Sequence, residues 1–90
     1  MPGLSEQEAL ELFARCIAEV VGRRTEAYRD MLKAVQSGEV VDLLLAQSSF
    51  DALKPEVRRR ISEMVSGLVA RHLAGEIDAT DPDALEAGKS

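Results

Sequence analysis

The sequence predicts an all-α protein, and three observations carry that expectation. Apolar residues recur at three- and four-residue spacings over most of the chain. Ala, Leu, Val, Glu and Arg dominate, while aromatics are nearly missing, with two Phe, one Tyr and no Trp in 90 residues. Helix start and stop signals then divide the chain into a long first element, a short apolar second one and a third that returns to Gly75.

The first element spans Ser5 to Val35. Ser5 followed by Glu8 is a capping box, in which each side chain satisfies a backbone N–H that the helix leaves unpaired. From there Leu10, Phe13, Ala14, Ile17, Val20, Val21, Tyr28, Met31, Leu32 and Val35 fall in one stripe. Glu8, Glu11, Arg15, Glu19, Arg23, Glu26, Asp30 and Lys33 take the opposite face, with attractive pairs at Glu11–Arg15 and Glu19–Arg23. Ser37-Gly38 ends the helix, glycine being suited to the left-handed cap. Gly22 is the weak point, costing about 1 kcal/mol against alanine in a helix interior. The stripe keeps its phase through Gly22, so one continuous or gently bent helix is expected.

The second element, Glu39–Gln47, is apolar nearly all round, and periodicity does not separate a buried helix from a buried strand there. No other segment offers a strand to pair with it, so a helix is expected. Ser48-Ser49-Phe50-Asp51 breaks the pattern, with Phe50 and Leu53 expected to plug the bend. Lys54-Pro55-Glu56 starts the last helix, since proline suits the first helical position. That helix runs from Pro55 to about Ala74 with Val57, Ile61, Met64, Val65 and Leu68 on its buried stripe. Residues 1–77 thus read as a single helical domain, and 78–90 as a flexible acidic C-terminal tail.

Lengths constrain the packing. The first helix would span about 46 Å and the two later elements together about 44 Å. They match as a helical hairpin whose returning arm is broken at Ser48–Lys54. A two-helix layer leaves apolar surface uncovered, so the preferred architecture is a homodimer completing a four-helix-like bundle. The alternative is a monomeric three-helix bundle with a real break at Gly22. Leu10, Phe13, Ile17, Val20, Val21, Tyr28, Met31, Val40 and Leu44 are the candidate interface residues.

Two polar residues interrupt the apolar stripes. Arg24 falls within the stripe of the long helix, where it either snorkels, is turned away by Gly22, or is latched by Asp51 or Glu56 on the returning arm. His72, the one histidine, lies on the stripe of the last helix, in reach of Glu6 under the hairpin arrangement. Metal binding needs further His or Cys ligands, and Cys16 is the sole thiol, so neither a metal nor another cofactor is expected. Arg58, Arg59 and Arg60 form the one basic cluster, but three consecutive residues fan over about 200° of a helix. Glu56 and Glu63 also sit at neutralising spacing, which favours a solvated face over a phosphate-binding one.

The remaining features bound the function. A net charge of −5 disfavours nucleic acid and anionic membranes as default partners. A lone cysteine, the lack of a leader pattern and the lack of an apolar run long enough for a membrane span suggest a cytoplasmic setting. Ser48 and Ser49 lack the Asp-Ser-Leu context of acyl carrier proteins, and Arg24 alone does not supply the several buried cations of helical chorismate mutases. The expectation is a non-enzymatic protein–protein interaction module, an adaptor, regulator or accessory subunit, that partners itself and another protein. Nucleic-acid binding by paired Arg58–Arg60 surfaces is the second reading. An enzyme acting on a small anion at Arg24 is the third.

Overall fold

The computed structural model describes residues 4–79, and among these the chain is all-helical, with four helices and no strand. They are α1 (Glu6–Val21), α2 (Glu26–Ser37), α3 (Val40–Asp51) and α4 (Pro55–Leu73). The tail expected from residue 78 onward lies outside the described residues, apart from Asp78 and Ala79.

The N-terminus of α1 forms as its sequence requires. The Glu8 N–H donates to Ser5 Oγ at 3.1 Å, and the Ser5 N–H donates to Glu8 Oε1 at 3.0 Å. The expected long helix, however, is two helices. Gly22 has φ 94° and ψ 162°, a backbone region essentially reserved for glycine, and its N–H still closes α1 on the Ala18 carbonyl. Thr25 then starts α2. Its hydroxyl donates to the Gly22 carbonyl at 2.9 Å and accepts the Tyr28 N–H at 3.4 Å. Apolar phase does not reveal such a break, because the stripes of α1 and α2 remain apolar on both sides of it. The alternative with a real break at Gly22 has the break in the right place, but the described chain carries four helices and not three.

Gly38 closes α2 in the left-handed conformation, φ 68° and ψ 9°, donating to the Ala34 carbonyl. The α2–α3 turn is therefore very short, and these two helices share the most extensive packing in the chain. Polar clasps hold them in register. Asp42, buried within an otherwise apolar run, accepts from Ser37 Oγ at 2.6 Å and lies 3.9 Å from Lys33 Nζ. Further along, Ser49 Oγ donates to Asp30 Oδ2. The expected break at Ser48–Asp51 is thus helical, and the chain turns at Ala52–Lys54 instead. Ser49 suits the helix because Asp30 engages its hydroxyl, which otherwise competes for backbone groups.

The core forms around α1, which packs against both α2 and α4. Leu12, Cys16 and Ile17 are fully buried, joined by Ala27, Met31 and Ala34 of α2, Ala46 of α3, and Ile61 and Leu68 of α4. Two neighbours on α1 widen its buried arc, which is why Leu12 and Cys16 are interior although they lie beside the expected stripe. Phe13 and Phe50 meet edge to face and join α3 to α1. No helix among the described residues is long and apolar enough to cross a membrane.

Candidate interaction surface

α3 has almost no amphipathic bias, because apolar residues occupy its outer as well as its inner side. Asp42 and Ala46 face inward, with Leu43, Ser49 and Phe50 half-buried beside them. On the outside, Val40 is 71% exposed, Val41 62%, Leu44 58% and Leu45 53%. A helix apolar on all sides is ordinarily covered on all sides. Here the tight Gly38 turn and the two polar clasps fix which side of α3 meets α2, and the opposite side is left to solvent.

Two clefts adjoin this face where α3 passes α1. One, of about 400 Å³, is lined by Leu10, Phe13, Met31, Leu43, Gln47, Phe50 and Asp51. The other, of about 300 Å³, is lined by Glu6, Gln7, Ala34, Gly38, Glu39 and Val40, together with Leu10 and Leu43. Gln7 belongs to the wall between α1 and α2, its side-chain amide donating to the Val35 carbonyl at 2.8 Å. None of the residues lining either cleft is basic.

The candidate interface residues divide into three environments. Ile17 and Met31 are buried within the single chain. Leu10, Phe13, Val20, Val21 and Tyr28 are half-buried and pack against the core. Val40 and Leu44 stand in solvent, next to Val41 and Leu45, which the stripe analysis does not single out. The run Val40, Val41, Leu43, Leu44 and Leu45 exceeds what one neighbouring helix covers, which is the signal behind the expected further layer, although it does not pick out Val41 and Leu45.

The polar candidates separate as well. Arg24 sits exposed in the α1–α2 turn, because Gly22 takes it off the apolar stripe. Among the described residues no hydrogen bond or salt bridge joins it to Asp51 or Glu56, both of which are exposed. His72 is half-buried. Its Nδ1 accepts the Ala79 N–H at 3.0 Å and lies 3.9 Å from Asp78 Oδ1, so it engages the segment after α4 rather than Glu6. Arg15 donates to the Ala79 carbonyl from the other side, and Ala79 is buried between them.

Arg59 and Arg60 are exposed. Arg58 is half-buried, with a buried Nε that has no hydrogen-bond partner among the described residues, so the three guanidiniums do not form one flat surface. The Ser5 backbone N–H, and then its hydroxyl, hold the Glu8 carboxyl below its ordinary value, with a smaller pull from His72. Burial pushes the Cys16 thiol up to about 11. The chain matches no protein-family model, no curated protein and no solved structure.

Proposed function

We propose that this chain is a small protein–protein interaction module, an adaptor, regulator or accessory subunit, that self-associates through the outer face of α3. The observation supporting this reading is the contiguous exposure of Val40, Val41, Leu44 and Leu45 on two successive turns of one helix. Twofold pairing of α3 would bring these four residues of each copy together and complete a bundle-like layer. Fully burying a Val or Leu side chain contributes about 1.5–3 kcal/mol, and roughly half of that is still available at these exposures. Eight such side chains, four from each copy, would supply about 6–12 kcal/mol gross. Ordering two molecules costs about 4–15 kcal/mol, so the dimer is weak and concentration-dependent. A reducing, cytosolic setting suits the lone buried thiol of Cys16.

The test is solution mass by light scattering across a hundredfold dilution. The expected result is a dimer that dissociates on dilution. The double variant Val41→Glu/Leu45→Glu is expected to be monomeric throughout with unchanged helicity. A wild-type chain that stays monomeric at every concentration, or a variant that still pairs, overturns the reading.

A further inference from the structure

The two clefts between α1 and α3 adjoin at Leu10 and Leu43, which line both. They follow one another along α3, from Glu39 and Val40 in one to Phe50 and Asp51 in the other, and are treated together as a trough. Its floor is apolar, supplied by Leu10 and Phe13 of α1, Met31 of α2, and Leu43 and Phe50 of α3. Its polar rim has one sign. Glu6 and Glu39 stand at one end and Asp51 at the other, all exposed, with Gln47 between. Val40 to Asp51 along α3 measures about 16 Å, or three turns of helix.

We infer that this trough is a docking groove for a basic amphipathic helix, whose apolar residues enter between α1 and α3 while its Lys or Arg residues meet Glu6, Glu39 and Asp51. The inference rests on the interaction-module reading and deepens it by giving the partner's chemistry. Apolar anchors at helical spacing provide the affinity, and the acidic rim sets orientation and excludes acidic partners. The chain's own C-terminal residues are poor occupants, because 80–90 carry Asp81, Asp83 and Glu86 against a single lysine, Lys89. A second copy is a poor occupant too. Apart from Leu73, the exposed large apolar residues of the described chain are those of the α3 outer face, which the self-association reading already uses, so a second copy has no further apolar stripe to insert.

The groove and the self-association face share Val40 but are otherwise distinct on α3. At helical spacing Leu43, Gln47 and Phe50 point toward α1, whereas Val41 and Leu45 point away from the trough. Substitutions can therefore distinguish the two surfaces.

The experiment is calorimetric titration of the full chain with three synthetic peptides of about 18 residues, long enough to hold a helix on binding. The first has leucines at helical i, i+3, i+4 and i+7 spacing with lysines elsewhere. The second has the same leucines with glutamates for the lysines. The third is a scramble of the first with the stripe destroyed. Binding of the first alone is expected, weakening as salt is raised. Asp51→Lys and Glu39→Lys, at exposed positions that leave the fold intact, are each expected to weaken it about three- to tenfold. Val41→Glu/Leu45→Glu is expected to leave it unchanged.

Equal binding of the glutamate or scrambled peptide overturns the groove, as does insensitivity to both rim reversals. Loss of binding in Val41→Glu/Leu45→Glu with none in Asp51→Lys moves the site to the outer face, and also overturns it. A monomeric chain that binds the lysine peptide retains the groove while ending the self-association reading. A dimer that binds none of the three peptides does the reverse.

Discussion

The rings of Phe13 and Phe50 lie 5.2 Å apart, centroid to centroid, and cross at 72°. This edge-to-face pair sets the positive rim of one ring against the negative face of the other. It also ties α3 to α1, which α2 otherwise separates in chain order, and it forms part of the floor of the larger cleft. Fold closure and the candidate binding surface therefore share two residues.

Truncating either ring tests that connection. Phe13→Ala and Phe50→Ala are each expected to destabilise by about 2–4 kcal/mol, toward the lower end of buried aromatic truncations because both rings are half-buried. The double variant should lose less than the sum, with a coupling of about 0.5–1.5 kcal/mol. Urea unfolding followed by circular dichroism measures all three. Strict additivity would show that the two rings do not support one another.

Gly22 offers a test of sign. In a continuous helix Gly22→Ala would stabilise by about 1 kcal/mol. With φ at 94° and ψ at 162°, alanine is instead expected to destabilise by about 1–3 kcal/mol through the backbone alone, since an added Cβ meets nothing within 4 Å. Thr25→Ala should cost about 1 kcal/mol more by removing the cap of α2. A thermal melt of each variant decides between the two geometries.

Ile17 has no exposed surface in the single chain, so Ile17→Asp places a carboxylate in the core without a partner. The expected effect is loss of the fold, about 4 kcal/mol or more against a total stability of about 5–15 kcal/mol. Far-ultraviolet circular dichroism should report loss of helix even at dilutions where no self-association occurs. Retained helicity with lost association would place Ile17 at an interface between copies instead.

Glu8 links stability to pH. Its hydrogen bonds from Ser5 hold the folded carboxyl below the ordinary 4.5. A carboxyl whose pKa is lower folded than unfolded contributes stability above the unfolded value, and that contribution is lost as pH falls through the folded one. Glu8→Gln is therefore expected to flatten the decline in melting temperature across that acidic window, while costing stability at neutral pH. Parallel pH profiles for the two proteins would show that the capping box does not titrate with folding.

The sequence by itself determined that the chain is all-helical and where several of the helices begin or end. Ser5 with Glu8, Ser37-Gly38 and Lys54-Pro55 mark termini because caps and glycine conformations are local chemistry, satisfied within a few residues. Thr25 is an equally local cap, but reading the apolar phase as unbroken across Gly22 leaves no helix start there to look for. That phase reports burial and is silent on whether the backbone between two buried stretches remains helical. Only the tertiary structure decided that α1 would be covered on two sides, which buries Leu12 and Cys16. It also decided which side of α3 remains bare. Asp42 with Ser37, Asp30 with Ser49, and Phe50 with Phe13 fix the rotation of that helix through partners distant in sequence or on another element. A helix apolar all round carries no preferred face of its own, so its orientation comes from its neighbours.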